Sequence, residues 1–587
     1  MNGRITASIP IAPAAGSAGA AARRPTRRSL VTALRRELWW GLSGWTVASL
    51  LVATLVLVPL ATVLFGALGP AGETWRHMAD TVLGTYIKNS LLLTVGAGLL
   101  CLLLALLPAW WVTLYDFPGR RWLEWALVLP LAIPTYVAAF AYSDLLENLF
   151  PFFIWVRMNH GIEAFLLVQD LARYGLLMLV LASVLYPYVY ITARASFSQQ
   201  AMATLEAGRM LGKGGGGLFW RIGLPMARPA IAAGLALVTM EVLNEFGAVS
   251  LFGVPTFTVG IFRAWLSLGD LDAARRLALC LMVFVAVALL LERAQRGRRR
   301  FADSALAARG MIRRRRLSGW RAWLMTTGCL VPLLFGFLLP GTRLLHWAVL
   351  AWERMANREL LVTAGRSVAL AAGTSLLLLI AALVVIYAVR VHRTMLSRGL
   401  ARVSGLGYAV PGAVVAVAVL AVTGFVDATW NQWRGAGDAG RVILSGSMAA
   451  LVVAYLIRFL AVALQPIDSG FARLAGNVDE AARSLGARSS RVFWKVDLPL
   501  LRPAVVAAAI LAFIDLLKEL PLTLVLRPFD FETLATRAYS LAEEGRIQDC
   551  ALPSLLLVAV SLCGLIPLTR LLGWRERAGA GSGAGSD

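Results

Sequence analysis

Charge is scarce in this chain of 587 residues: Asp, Glu, Lys and Arg make up only 15% of it, while 59% is hydrophobic. Its mean hydropathy is +0.71. So much apolar surface has no aqueous place to go, which excludes an ordinary water-soluble domain and points to an integral membrane protein. Histidine is nearly missing, with His77, His160, His346 and His392 scattered along the chain. That leaves no His/Asp or Ser cluster for a membrane enzyme of the acyltransferase kind. The five cysteines, Cys101, Cys280, Cys329, Cys550 and Cys563, lie mostly inside or at the edge of apolar runs without CxxC spacing. They exclude a disulfide framework and a zinc site. Acids are outnumbered by bases, 33 to 56, for a net charge of +23.

What the chain has in abundance is long apolar runs. A helix needs roughly 20 such residues to cross a hydrocarbon layer of ~30 Å. About a dozen qualify, near 46–68, 89–114, 122–143, 174–193, 230–252, 274–292, 323–341, 367–389, 403–425, 442–464, 504–526 and 552–573. Pro59, Pro130, Pro134, Pro187 and Pro411 fall inside runs, where neighbouring helices of a bundle accommodate them. With Arg23, Arg24, Arg27, Arg28, Arg35 and Arg36 in the cytoplasm, twelve crossings put most of the 56 Lys and Arg on the cytoplasmic side, as the positive-inside rule requires. The arginine run from Arg293 to Arg316 then reads as a solvated, lipid-facing linker and not as a nucleic-acid patch.

The chain is also written twice. EAGRMLGKGGGGLFWRIGLPMARPA from Glu206 matches EAARSLGARSSRVFWKVDLPLLRPA from Glu480 without a gap, 274 positions apart. At the same offset Glu241 and Glu245 fall opposite Asp515 and Glu519, and at 277 Pro134 falls opposite Pro411. Six spans per unit start both units on the same side, so the repeats are parallel, with a pathway expected between them. In the second loop Asn477 is placed to cap a short helix with Glu480 reaching back, and Gly486 to end it. Leu224 and Leu498 precede prolines, so the spacing predicts a chain break there before the next membrane helix.

The pattern Glu-Ala-Ala, Gly and Ile-x-Leu-Pro resembles the EAA loop of ABC importer permeases. It stands as Glu206, Ala207, Gly208, Gly212, Ile222, Leu224 and Pro225, and again as Glu480, Ala481, Ala482, Gly486, Val496, Leu498 and Pro499. Gly208 replaces the second alanine and Val496 the isoleucine. The resemblance implies the type I importer permease fold, an all-α integral membrane protein of about 12 transmembrane helices in two parallel six-helix repeats. It implies that each loop docks on a cytoplasmic ABC ATPase dimer, that a periplasmic binding protein delivers the substrate, and that the chain sits in the bacterial inner membrane. IPTYVAAFAYSDLLE from Ile133, EVLNEFGAVSLFGVPTFTVGIFRAWLSLGD from Glu241 and KELPLTLVLRPFDFETLATRAY from Lys518 resemble the fused ferric iron permeases, which implies an iron-binding protein as partner. Thiamine and polyamine permeases are near relatives.

Two apparent nucleotide motifs dissolve on inspection. Gly212, Gly214 and Gly217 have GxGxxG spacing but no preceding strand, and Lys213 is followed by Gly214 where a Walker A loop needs Ser or Thr. The chain is therefore read as a permease without a cofactor, ATP hydrolysis belonging to a separate subunit. A secondary transporter of the major facilitator kind shares the two parallel halves, and DFPGRR at Asp116–Arg121 is a partial match to that family's loop motif. Its full spacing is missing, and paired EAA loops have no role there.

Ionisable groups inside a membrane mark pathways or helix contacts. Glu241 and Glu245 are four apart, as are Asp515 and Glu519, so each pair is expected on one helical face. They either line the translocation pathway, their hard oxygens suiting Fe³⁺, or bond neighbouring helices and balance Lys518. Tyr136, Tyr142, Asp144 and Glu147 are expected at the outer end of the third span. The expected organisation is a disordered basic tail (1–45), a first permease unit (46–293) with its loop at 200–229, an Arg-rich linker (294–322), a second unit (323–573) with its loop at 470–503, and a flexible tail (574–587).

Overall fold

The computed structural model describes residues 43–199, 207–296, 314–392, 394–435, 442–474, 478, 481–482, 484–487 and 489–565. Glu206, Asn477, Glu480, all of the expected basic tail but residues 43–45, the C-terminal tail and most of the linker lie outside these residues. Apolar runs fold as helices because lipid offers their backbone no hydrogen-bond partner. The resulting helices are α1 (Gly44–Gly66), α2 (Leu83–Leu114), α3 (Thr135–Asn148), α4 (Phe150–Gln199), α5 (Leu224–Asn244) and α6 (Leu271–Arg296) in the first half. The second half contributes α7 (Trp320–Met355), α8 (Arg358–Val391), α9 (Gly412–Trp433), α10 (Met448–Arg473), α11 (Leu498–Lys518) and α12 (Ala551–Leu565). Among the described residues ten helices are long and apolar enough to cross a membrane, and α12 is shorter.

The expected third span is not one rod. Arg120–Ala132 and α3 meet at 88°, because Ile133, held extended at φ −92° and ψ 120° before Pro134, cannot continue a helix. Val410 before Pro411 does the same in the second half, at φ −94° and ψ 127°. The matched prolines therefore cap equivalent helices. α4 is likewise two helices joined at Gly161, whose φ of +87° only glycine adopts readily.

The breaks predicted at Leu224 and Leu498 do not occur. Both residues are helical, at φ −63° and ψ −46° and at φ −62° and ψ −42°. Each follows a π-helical turn, Phe219–Gly223 or Phe493–Asp497, and each proline falls in the first turn of the helix that follows, where a missing N–H costs nothing.

The two halves trade arms. α1 packs on α8 and α9 of the second half, and α7 packs on α2, α3 and α4 of the first. Trp45 of α1 sits edge-on to Tyr387 with ring centroids 4.9 Å apart, and Tyr142 donates to the Phe335 carbonyl of α7 at 2.6 Å. A Cβ on Gly336 would lie 2.2 Å from the Ser183 carbonyl oxygen, so glycine sets how closely α7 approaches α4. A short parallel ladder pairs Tyr115–Asp116 with Arg315–Arg316, fastening the end of the linker to the first half.

Candidate functional site

Where both are described, the two repeated loops close alike. Ala207–Met210 is helical and closes with Lys213 N–H on the Gly208 carbonyl at 3.1 Å and Gly212 N–H on the Arg209 carbonyl at 2.9 Å. In the second loop Ala487 N–H reaches the Ala482 carbonyl at 3.1 Å. Gly212 and Gly486 stand at φ +76° and +81°, the left-handed position that ends a helix in a Schellman turn. Past these turns Phe219 packs on Trp110 and Phe493 on Tyr387, with centroids 5.4 and 4.6 Å apart. Each loop is thus anchored to its bundle by an aromatic plug. At the tips Met210 and Leu485 are 89% and 88% exposed. A Cβ on Gly208 would meet Ile222 Cδ1 at 2.6 Å and Leu218 Cδ2 at 2.8 Å, side-chain ends that would have to shift to admit it. The second copy pairs Ala482 with the smaller Val496.

Between the halves lies a cavity of about 130 Å³, room for several waters. Its walls include Glu241, Glu245, Asp515 and Glu519, together with Arg458, Lys518, Asn244, Tyr136, Tyr188 and Tyr408. The four acids chosen from the sequence therefore meet, although not as two helical faces. α5 ends at Asn244 and α11 at Lys518, and Glu245 and Glu519 follow in extended conformation at ψ 129° and 120°. Each glutamate then caps the next helical turn, Glu245 accepting from Ala248 N–H at 2.8 Å and Glu519 from Leu522 N–H at 3.2 Å. The Glu245 carboxylate also accepts from the Thr135 hydroxyl. Glu519 faces Arg458, Nε standing 3.6 Å from Oε2.

Tyr136 is part of this cavity and not of the outer end of the third span. The proline bend before α3 places its first turn at the centre of the bundle, and the Tyr136 hydroxyl approaches the Lys518 carbonyl at 3.5 Å. Sequence reasoning missed Arg458, Thr135 and Asn244. Arg458 carried a signal, a lone charge in the run AYLIRFLAVAL; Thr135 and Asn244 carried none apart from position.

On the outer side Asp144 pairs with Arg343, and Asp144 and Glu147 line a cleft of about 270 Å³ with Trp347, Arg354, Arg546 and Asp549. Asp549 accepts from Arg354 at 3.0 Å and from Arg546 at 2.9 Å. Burial alone would push its carboxyl up, but these two guanidinium groups outweigh that and hold it below the usual range. Among the described residues no group of three or more His, Cys, Asp or Glu side chains is arranged to hold a metal ion.

The family model for the inner membrane component of binding-protein-dependent transport systems matches residues 101–297 and 378–578. The Fe(3+)-transport system permease protein FbpB 2 of Haemophilus influenzae is 24% identical over 81% of this chain and 87% of its own length. A probable molybdenum ABC transporter permease of Haloferax volcanii is 30% identical over 46% of this chain and 95% of itself. A probable sulfate transport system permease protein cysT of Nephroselmis olivacea is 26% identical over 38% of this chain and 75% of itself. With the family model matched twice and covering more than half of its length, the chain is a fused, multi-pass inner membrane permease of the binding-protein-dependent transport systems, an ABC importer permease.

Proposed function

We propose that this permease admits iron(III) from the periplasm to the cytoplasm. In this reading a periplasmic iron-binding protein delivers the ion, and a separate cytoplasmic ATPase dimer drives the cycle through the loops around Glu206, Ala207, Gly208 and Gly212 and around Glu480, Ala481, Ala482 and Gly486. The observation that carries it is the convergence of Glu241, Glu245, Asp515 and Glu519 on one cavity between the halves, with three tyrosines beside them. Carboxylate and phenolate oxygens suit a hard cation by extension of the hard-ligand preference, and the Haemophilus relative that matches most of the chain is a ferric permease by name. The exposed Met210 and Leu485 on glycine-ended turns support the loops as docking knobs.

A second reading is favoured by Arg458 and Lys518, cations in the same cavity. They suit an oxyanion, the cargo named for the sulfate and molybdenum relatives. The deciding experiment reconstitutes the permease with its ATPase and binding protein in vesicles and follows radiolabelled iron(III), sulfate and molybdate. ATP-dependent iron uptake alone is the expected result; uptake of an oxyanion and no iron overturns the iron reading.

A further inference from the structure

The central cavity departs from the twofold pattern of the chain in its bases. Its acids come in equivalent pairs, Glu241 with Asp515 and Glu245 with Glu519, one of each from either half. Its bases come from the second half: Arg458 stands where the first half has Val184, and Lys518 where it has Asn244. Arg458 is only 7% exposed. From the middle of α10 its Nη1 donates to Asn244 Oδ1 of the first half at 2.9 Å, while Nε faces Glu519 of the second. Asn244 Oδ1 accepts in addition from Gly412 N–H at 2.6 Å. One guanidinium thus ties together the end of α5, the residue that follows α11 and the start of α9.

The space for it is built. A Cβ on Gly412 would lie 2.6 Å from Arg458 Nη1 and 3.1 Å from Glu519 Oε1. The equivalent residue in the first half is Thr135, whose hydroxyl donates to Glu245. The first half therefore satisfies its glutamate with a short neutral donor, and the second with a long charged one that also reaches across to the other half.

We propose that Arg458 is a cross-half latch on the pathway. With the halves together it holds Asn244 beside Glu519; a cationic cargo entering among the four acids competes for Glu519, repels the guanidinium and releases the two ends from each other. Without cargo, parting the halves takes Asn244 away from its two donors, Arg458 and Gly412, and leaves these buried polar groups short of a partner while Arg458 stays beside Glu519, which disfavours opening. With cargo, the carboxylate keeps a cation, and Arg458 retains the face of Phe459, whose ring centroid lies 5.4 Å from its guanidinium carbon. The displacement step rests on the iron reading above, whereas the latch itself does not.

The test uses the complete transporter, permease with its ATPase in nanodiscs, and reads ATP hydrolysis first without binding protein and then with binding protein loaded with Fe³⁺. In R458Q the cargo-free rate is expected to rise about fivefold, and stimulation by the loaded binding protein to fall close to one, as a closed population loses its bias. R458K keeps the charge without the forked arm and is expected to recover part of the stimulation. G412A keeps the arginine but puts a methyl group against Nη1; it is expected to repeat the R458Q pattern, and it decides the matter should R458Q fail to assemble. Wild-type ratios in an assembled R458Q or G412A overturn the latch. Equal loss of both rates in all three variants also overturns it, that being the mark of a purely structural arginine. Should wild type respond to a molybdate-loaded binding protein and not to the iron-loaded one, the iron reading falls, while the cargo-free rates still decide the latch.

Discussion

Asn244 and Lys518 occupy equivalent positions, each the last residue of its helix, and each reaches into the opposite half. Asn244 Oδ1 accepts from Gly412 N–H at 2.6 Å, and Lys518 Nζ donates to the Leu131 carbonyl at 2.6 Å. The residue after each is a cavity glutamate. We therefore expect Glu245→Gln combined with Glu519→Gln to lower iron uptake at least tenfold, at unchanged expression and elution. Vesicle uptake of radiolabelled iron checks this, and wild-type rates would return both residues to a purely structural role.

This site was half legible in the sequence. The repeat offset and the cost of burying charge in a membrane were enough to select Glu241, Glu245, Asp515 and Glu519, because those signals are local. The helix break between Glu241 and Glu245 was not legible, since the run from 230 to 252 holds no proline, and Asn244 and Gly247 alone did not mark where helix yields to a turn. Thr135 and Tyr136 were out of reach for a related reason: only the proline bend carries the start of α3 to the centre. Leu224 and Leu498 show the opposite error, a local proline rule overridden by a wide helical turn just ahead of it.

Charge reversal at both Glu206 and Glu480 should separate ATP hydrolysis from uptake while the bundle stays folded. The ratio of iron moved to ATP consumed is the measurement, and an unchanged ratio would remove these residues from the coupling contact.

The exchange between the loops predicts a compensation. Gly208→Ala alone should impair coupled uptake, because its methyl group meets Ile222 Cδ1 at 2.6 Å and Leu218 Cδ2 at 2.8 Å. Adding Ile222→Val and Leu218→Val should restore it, since Ala482, Val492 and Val496 already coexist in the second copy. A triple variant no better than the single one would show that these contacts are not what selects glycine there.

Gly336→Ala should loosen α7 from the first half, its methyl group colliding with the Ser183 carbonyl at 2.2 Å. Overpacking of this kind costs about 1–3 kcal/mol, and a lowered thermal midpoint in detergent would report it.

The outer cleft carries a pH signature. Because Arg354 and Arg546 hold the Asp549 carboxyl below its ordinary value, the stability it contributes is complete above the unfolded carboxylate pKa of about 3.9 and is lost as pH falls through the lower folded value. Asp549→Asn should therefore lower the thermal midpoint near neutral pH and leave it nearly unchanged at the acid end, as measured by a pH series of melts.

The trading of α1 and α7 has a consequence for biosynthesis. Neither half finishes its own perimeter, so a polypeptide cut within the linker would yield two pieces, each with a bare flank awaiting its sibling's limb. Two copies of the second half would bring four bases to one chamber, and two copies of the first would bring none. Fusion of the halves guarantees the unlike pairing on which that uneven chamber depends.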